Sequence, residues 1–232
     1  MASRLLIHVE GETEENFVNE VLGPYLVRKG YESVSARIMG NSRLRDRRGG
    51  IRPWPSVRRD IVRHLREDPG CVATTMVDFY GLPDQGDGAW PGRAGAVPEL
   101  LRSTEDKAIS VEEALHQEIC REIKGLNPRR FVPFVMMHEF EALLFSDCSA
   151  FSKGISRSEL ETKLADIRKQ FKTPEDIDDS PDKAPSRRIE KLIPKFQKPL
   201  LGVLAVLEIG LTAIRRECPH FAAWINRLKA AI

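Results

Sequence analysis

Strand-length apolar runs and helix-period segments take turns through the first 150 residues of this chain, and that alternation limits its fold more than any other feature. Leu5, Leu6, Ile7 and Val9 mark a first strand over 3–9. Phe17, Val18, Val21, Leu22, Tyr25 and Leu26 recur at helical spacing over 14–28, and Lys29-Gly30 ends that helix. The alternating segment YESVSARIM (31–39) predicts a second strand, and Val57, Ile61, Val62 and Leu65 predict a helix over 56–67. CVATTMVDFY (71–80) is a third, strongly apolar strand. Glycine and proline forbid regular structure over 81–95. A helical stretch follows, clearest over 111–123, then a fourth strand in RRFVPFVMMH (129–138) and a helix start in EFEALLFS (139–146). Strands alternating with helices need crossover connections. They predict an α/β fold with a mainly parallel, four-stranded sheet and helices on both faces. Beyond residue 150 the pattern is all helical, with a linker rich in proline and aspartate at 173–185. The expected organisation is an α/β domain over 1–150 and a helical extension over 151–232 packed on it.

The 232 residues are enough to bury a large core, and 41% hydrophobic with 30% charged residues is the composition of a folded, soluble chain. No apolar run reaches the roughly 18 residues that crossing a bilayer takes. The longest, 199–211, contains Gly202, Glu208 and Gly210. The opening MASRLLIHVEGE is too short an apolar run for a signal peptide, so no membrane association and a cytoplasmic location are expected. Cys71, Cys120, Cys148 and Cys218 are far apart, which argues against a zinc ribbon or redox pair and for reduced thiols. No G-x-S-x-G, Walker or G-x-G-x-x-G pattern occurs, which removes the usual support for a serine hydrolase, a P-loop NTPase or a dinucleotide site.

Charge is unevenly spread. Between Asn41 and Arg66 nine arginines stand against Asp46 and Asp60, a local charge of +7 in a chain whose total is +2. A polyanion partner is the expectation, with Arg43, Arg45, Arg47, Arg48 and Arg52 in the loop GNSRLRDRRGGIRPWP contacting nucleic-acid phosphates.

Three of the four expected strands end in acid: the first at Glu10, the third at Asp78, the fourth at Glu139 and Glu141. In open parallel sheets functional groups gather beyond the carboxyl ends of the strands. Carboxylates converging from separate strands suit a hard divalent cation such as Mg²⁺ or Mn²⁺. Two such ions about 4 Å apart can clamp the attacking and leaving oxygens of a phosphodiester. Glu12 and Glu15 read instead as acids favoured at a helix N-terminus. Gly11 reads as a tight turn that brings Glu10 and Glu14 together.

V-E-G-x-T-E at 9–14 resembles the opening motif of Toprim domains, which occur in topoisomerases, primases and overcoming-lysogenization-defect (OLD) nucleases. The wider set VEGETEENFV, VDFYGLP, HEFEALLFSD, DKAPSRRI and CPHFAAWI resembles a domain-of-unknown-function family regarded as Toprim-like, over nearly the whole chain. The resemblance implies a compact parallel, Toprim-like (Rossmann-like) sheet and divalent-metal phosphoryl-transfer chemistry. On it, Glu10 matches the Toprim glutamate that ligates metal or serves as general acid/base, Glu14 the second glutamate of the OLD-type motif, and Asp78 the first aspartate of D-x-D. Tyr80 stands where the second aspartate belongs, and Glu139 or Glu141 is the expected replacement. Lys183, Arg187 and Arg188 in DKAPSRR are the expected basic residues near the scissile phosphate.

The expectation is a Mg²⁺- or Mn²⁺-dependent endonuclease, with DNA placed ahead of RNA. The resemblance further implies a Toprim effector of bacterial anti-phage defence, working beside an ABC-type ATPase that this chain does not contain. Two rivals stand beside it: a non-catalytic Toprim-like module binding nucleic acid or protein, and a nuclease restricted to RNA such as tRNA.

Overall fold

The computed structural model describes residues 3–40, 50–94, 103–177 and 183–232. Four parallel strands form one sheet in the order β2-β1-β3-β4, with β1 at Arg4–Val9, β2 at Ser33–Ile38, β3 at Cys71–Asp78 and β4 at Val135–Met136. β1 pairs along its whole length on both sides, from Arg4↔Ser33 to Val9↔Ile38 and from Arg4↔Cys71 to Val9↔Met76. Glu10 and Asp78 therefore finish neighbouring strands that point the same way.

Both faces of the sheet are covered. Leu5, Ile7, Val9, Val72 and Met76 face one core, closed by Phe17, Ala205, Val206, Phe221 and Trp224. Ala73, Val77 and Val135 face the other, closed by Val57, Ile61 and Leu65 of α3 (Trp54–Glu67) and by Val111, Leu115 and Ile119 of α4 (Thr104–Glu122). The alternation of side chains along each strand sorts them between the two cores.

The first helix is one rod in three windings: α1 (Glu12–Phe17), a π turn (Val18–Leu22) and α2 (Gly23–Val27). Pro24 has no N–H to give and would crowd the carbonyl four residues back, so the wider winding takes up the mismatch. Gly23 donates to Val18 O across that turn, and a Cβ on it would stand 2.8 Å from the same oxygen.

The expected fourth strand over 129–138 is much shorter than its apolar pattern suggests. Only Val77↔Val135 and Asp78↔Met136 pair, with an isolated bridge Ala73↔Phe131. Pro133 cannot donate to a ladder. Threonine hydroxyls replace the missing rungs: Thr74 Oγ1 donates to Val132 O, Thr75 Oγ1 donates to Phe134 O (2.9 Å), and Phe134 N donates to Thr75 Oγ1 (3.0 Å).

The rest of the chain is helical, as expected: α5 (Cys148–Gly154), α6 (Glu161–Arg168), α7 (Pro185–Leu192), α8 (Lys198–Glu217) and α9 (Pro219–Lys229). α8 takes in the whole apolar run 199–211. Its helical pattern resumes after a kink at Gly210, where φ is +75°. The expected helix start at 139–146 is wound as a 3₁₀ segment, Phe140–Ser146. No helix among the described residues is long and apolar enough to cross a membrane. All four cysteines carry free thiols.

Candidate functional site

Glu10 directly follows β1, and the chain turns there into α1. Gly11 is extended (φ −150°, ψ −170°), a conformation open to any residue, so the turn here does not call on glycine's freedom. It caps the helix instead: its N–H donates to Glu14 Oε2 at 2.9 Å. That bond folds Glu14 back over the first turn, where the residue is buried.

Asp78 ends β3, and a 3₁₀ turn at Phe79–Gly81 follows. A Cβ on Gly81 would stand 3.2 Å from the Ile51 side chain and 3.8 Å from Glu10 Oε2, so this turn lies over the first carboxylate. Gly50 donates to Glu10 O at 2.9 Å, which closes the described end of the arginine loop onto β1.

β4 leads into Glu139 and Glu141. Glu139 caps the 3₁₀ segment and accepts from Ser186 N at 2.8 Å, so the DKAPSRR motif reaches the site through the backbone at the start of α7. Glu141 is 3% exposed, and its Oε1 lies 3.1 Å from Lys198 Nζ at the start of α8. Gly202, one turn along, brings α8 against Thr13 and Phe140.

Electrostatics tie these groups into one cluster. Burial, then Glu10, Glu14, Glu141 and Glu139, hold the Asp78 carboxyl well above its ordinary value. Burial raises Glu10, with Glu139 and Glu141 adding to the rise while the Asp78 backbone and Lys198 oppose it. Burial, then Glu10 and Glu141, push Glu14 up to about 7. Burial also raises Glu141, against the pull of Lys198. Burial lowers Lys198 itself, but Glu141, Glu139 and Asp78 outweigh it and hold the ammonium above its ordinary value. Glu10 Oε2 and Asp78 Oδ1 are shut off from solvent and have no hydrogen-bond partner.

Crowded carboxylates with buried, unsatisfied oxygens are costly. A hard divalent cation relieves that cost, taking oxygen ligands from one or two carboxylates and keeping several waters. Glu10 and Asp78 meet this need, with Glu14, Glu139 and Glu141 next to them. Among the described residues, no three His, Cys, Asp or Glu side chains form a ready-made ligand group.

The structure thus brings together all five acids singled out in the sequence. The basic residues fare differently. Arg187 is turned to Glu190 at 2.9 Å, while Arg188 donates to Lys183 O and lies over the Phe171 ring. Lys198, which no motif had marked, brings a cation to Glu141. Arg52 packs its guanidinium against Gly40, a glycine at φ +121° whose Cβ would meet it at 2.7 Å. Arg43, Arg45, Arg47 and Arg48 lie outside the described residues.

A family model described as a domain of unknown function, DUF4276, matches residues 9–229. The chain belongs to the DUF4276 family. The match starts at Val9, the first residue of VEGETEENFV, and runs through the other four motifs to within three residues of the C-terminus. No curated protein and no solved structure matches the chain. In this DUF4276 chain the motifs at 9–18, 77–83 and 138–147 supply the carboxylates, and that at 182–189 supplies the backbone donor to Glu139.

Proposed function

We propose that this DUF4276 chain is a Toprim-like, metal-dependent nuclease that hydrolyses phosphodiester bonds of nucleic acid. One observation carries the reading: the buried, partnerless oxygens of Glu10 and Asp78 at the ends of adjacent parallel strands, inside a cluster of acids that raise one another's proton affinity. Glu10 and Asp78 would hold Mg²⁺ or Mn²⁺, supported by Glu14, Glu139 and Glu141. Such an ion would supply Lewis acidity toward a phosphoryl oxygen and lower the pKa of an attacking water. Lys198, beside Glu141, offers a charge-assisted donor to a phosphate oxygen. The arginines of the 40–55 loop would hold the flanking backbone.

The test is cleavage of single-stranded DNA, duplex DNA and tRNA by purified protein with Mn²⁺, with Mg²⁺ and with EDTA. Cleavage that needs metal and falls at least about a hundredfold in Glu10→Gln and Asp78→Asn supports the site. Unchanged cleavage in both variants removes it. Preference for tRNA in the same assay selects the RNA-restricted form. An ABC-type ATPase in a defence system would be a separate subunit, so its co-expression belongs in the assay.

Tyr80, at the position of the second Toprim aspartate, favours a second reading: a module that binds nucleic acid or protein without cleaving. Calorimetry with Mg²⁺ and Mn²⁺ separates the two, because the module predicts no metal uptake and retained, salt-dependent nucleic-acid binding.

A further inference from the structure

The residue that breaks the acidic pattern is also the most exposed aromatic ring at the site. Tyr80 is 56% exposed, whereas the neighbouring Phe79 is 2% exposed. Its ring stacks on His138 with centroids 5.6 Å apart and planes within 11°, and Phe79 meets it edge-on at 5.3 Å and 88°. The Arg93 guanidinium lies 5.9 Å from its centroid. Arg93 is itself buried, 4.1 Å over the Phe79 ring, with Nε donating to Phe79 O at 3.1 Å. His138 is 5% exposed, so Tyr80 is the outer layer of a stack rooted in the protein.

This stack sits at the rim of the carboxylates. Asp78 precedes Tyr80 by two residues, Gly81 follows it and lies over Glu10 Oε2, and His138 immediately precedes Glu139. A flat, oriented, solvent-facing ring at that point loses little conformational freedom when another ring stacks on it.

Resting on the nucleic-acid reading above, we propose that Tyr80 is a stacking platform for an unpaired nucleobase next to the scissile phosphate. The substrate class it selects is a single strand or a locally opened duplex. Bases inside a duplex already have neighbours on both faces and reach such a ring only by leaving the stack. Every base has a π-face, so the platform reads strandedness and not sequence.

The experiment measures binding in EDTA, so that it does not depend on cleavage. The probes are a short single-stranded DNA carrying one 2-aminopurine, the RNA of the same sequence, and the DNA annealed to its complement. Wild-type protein should quench the 2-aminopurine and bind the single strand more tightly than the duplex. Tyr80→Ala should lose the quenching and weaken single-strand binding about tenfold, leaving duplex affinity and melting temperature unchanged. Tyr80→Phe keeps the ring and should behave as wild type. The DNA and RNA strands decide which sugar the site accepts. The proposal is overturned if Tyr80→Ala binds the single strand like wild type, if single strand and duplex lose affinity equally, or if wild-type protein binds none of the probes. Quenching without metal-dependent cleavage would keep the platform and remove the nuclease. Metal-dependent cleavage indifferent to Tyr80→Ala would do the reverse.

Discussion

Asp78 is held between two costs: it ends a buried strand, and its neighbours are acids. Asp78→Asn keeps the shape and removes a carboxyl that burial and its acidic neighbours disfavour in its charged form. In metal-free buffer at neutral pH the variant should melt a few degrees above wild type, because folding no longer has to bury that charge or take up a proton to neutralise it. It should also lose the upward shift that the proposed Mn²⁺ binding would give wild type, and scanning calorimetry with and without the ion reads both effects. Lys198 is the converse case. Lys198→Met strips the cation from buried Glu141, which should cost about 1–2 kcal/mol in urea unfolding, less than a fully buried pair because the lysine is partly solvated. Cleavage should fall about a hundredfold. Glu10 and Asp78 were legible in the sequence because each interrupts an apolar run where the run stops. Lys198 was not, since QKPLLG reads only as a helix start and its partner Glu141 is 57 positions away. Lys183, chosen on motif proximity, shares its motif with Ser186, whose backbone N–H donates to Glu139.

At the level of elements, periodicity located the strands and most of the helices, and chain chemistry decided their extents. The seven-residue apolar run 131–137 around Pro133 had the composition of a strand, yet proline and the Thr74 and Thr75 hydroxyls reduce its ladder to two residue pairs. Composition does not show which hydroxyl will take over a rung. The approach of α5 to α8 was equally hidden. A Cβ on Gly154 would stand 2.8 Å from Leu204 O and 2.9 Å from Ala205 Cα, both backbone atoms that cannot swing aside. Gly154→Ala should therefore separate the two helices at a cost of about 1–3 kcal/mol, measured by chemical denaturation. In the sequence this glycine looks like an ordinary helix end.

Across the whole molecule, one buried carboxylate links three parts of the chain. Glu112 of α4 is 2% exposed; its Oε1 accepts from Val135 N at 3.0 Å and lies 2.9 Å from His220 Nε2, and its Oε2 accepts from Arg227 at 2.7 Å. Glu112→Ala leaves the Val135 N–H and the His220 ring buried without their acceptor and should cost about 3–5 kcal/mol. Burial works against the charged form of His220, but Glu112 outweighs it and raises the imidazole above its ordinary value. Protons are thus held more tightly in the folded state. The pair's contribution is complete below about pH 6.5 and fades as pH rises through the higher folded value. Subtracting the pH–stability curve of Glu112→Gln from that of wild type isolates this slope. The two-rung outer strand has its own consequence. Glu139 and Glu141 follow closely on the least firmly laddered strand of the described sheet, so binding of the proposed ion and the docking of that strand would be linked equilibria. Whatever tightens one tightens the other by the same factor: saturating Mn²⁺ should slow hydrogen exchange at Val135 more than at β1, and loosening the edge should release the ion.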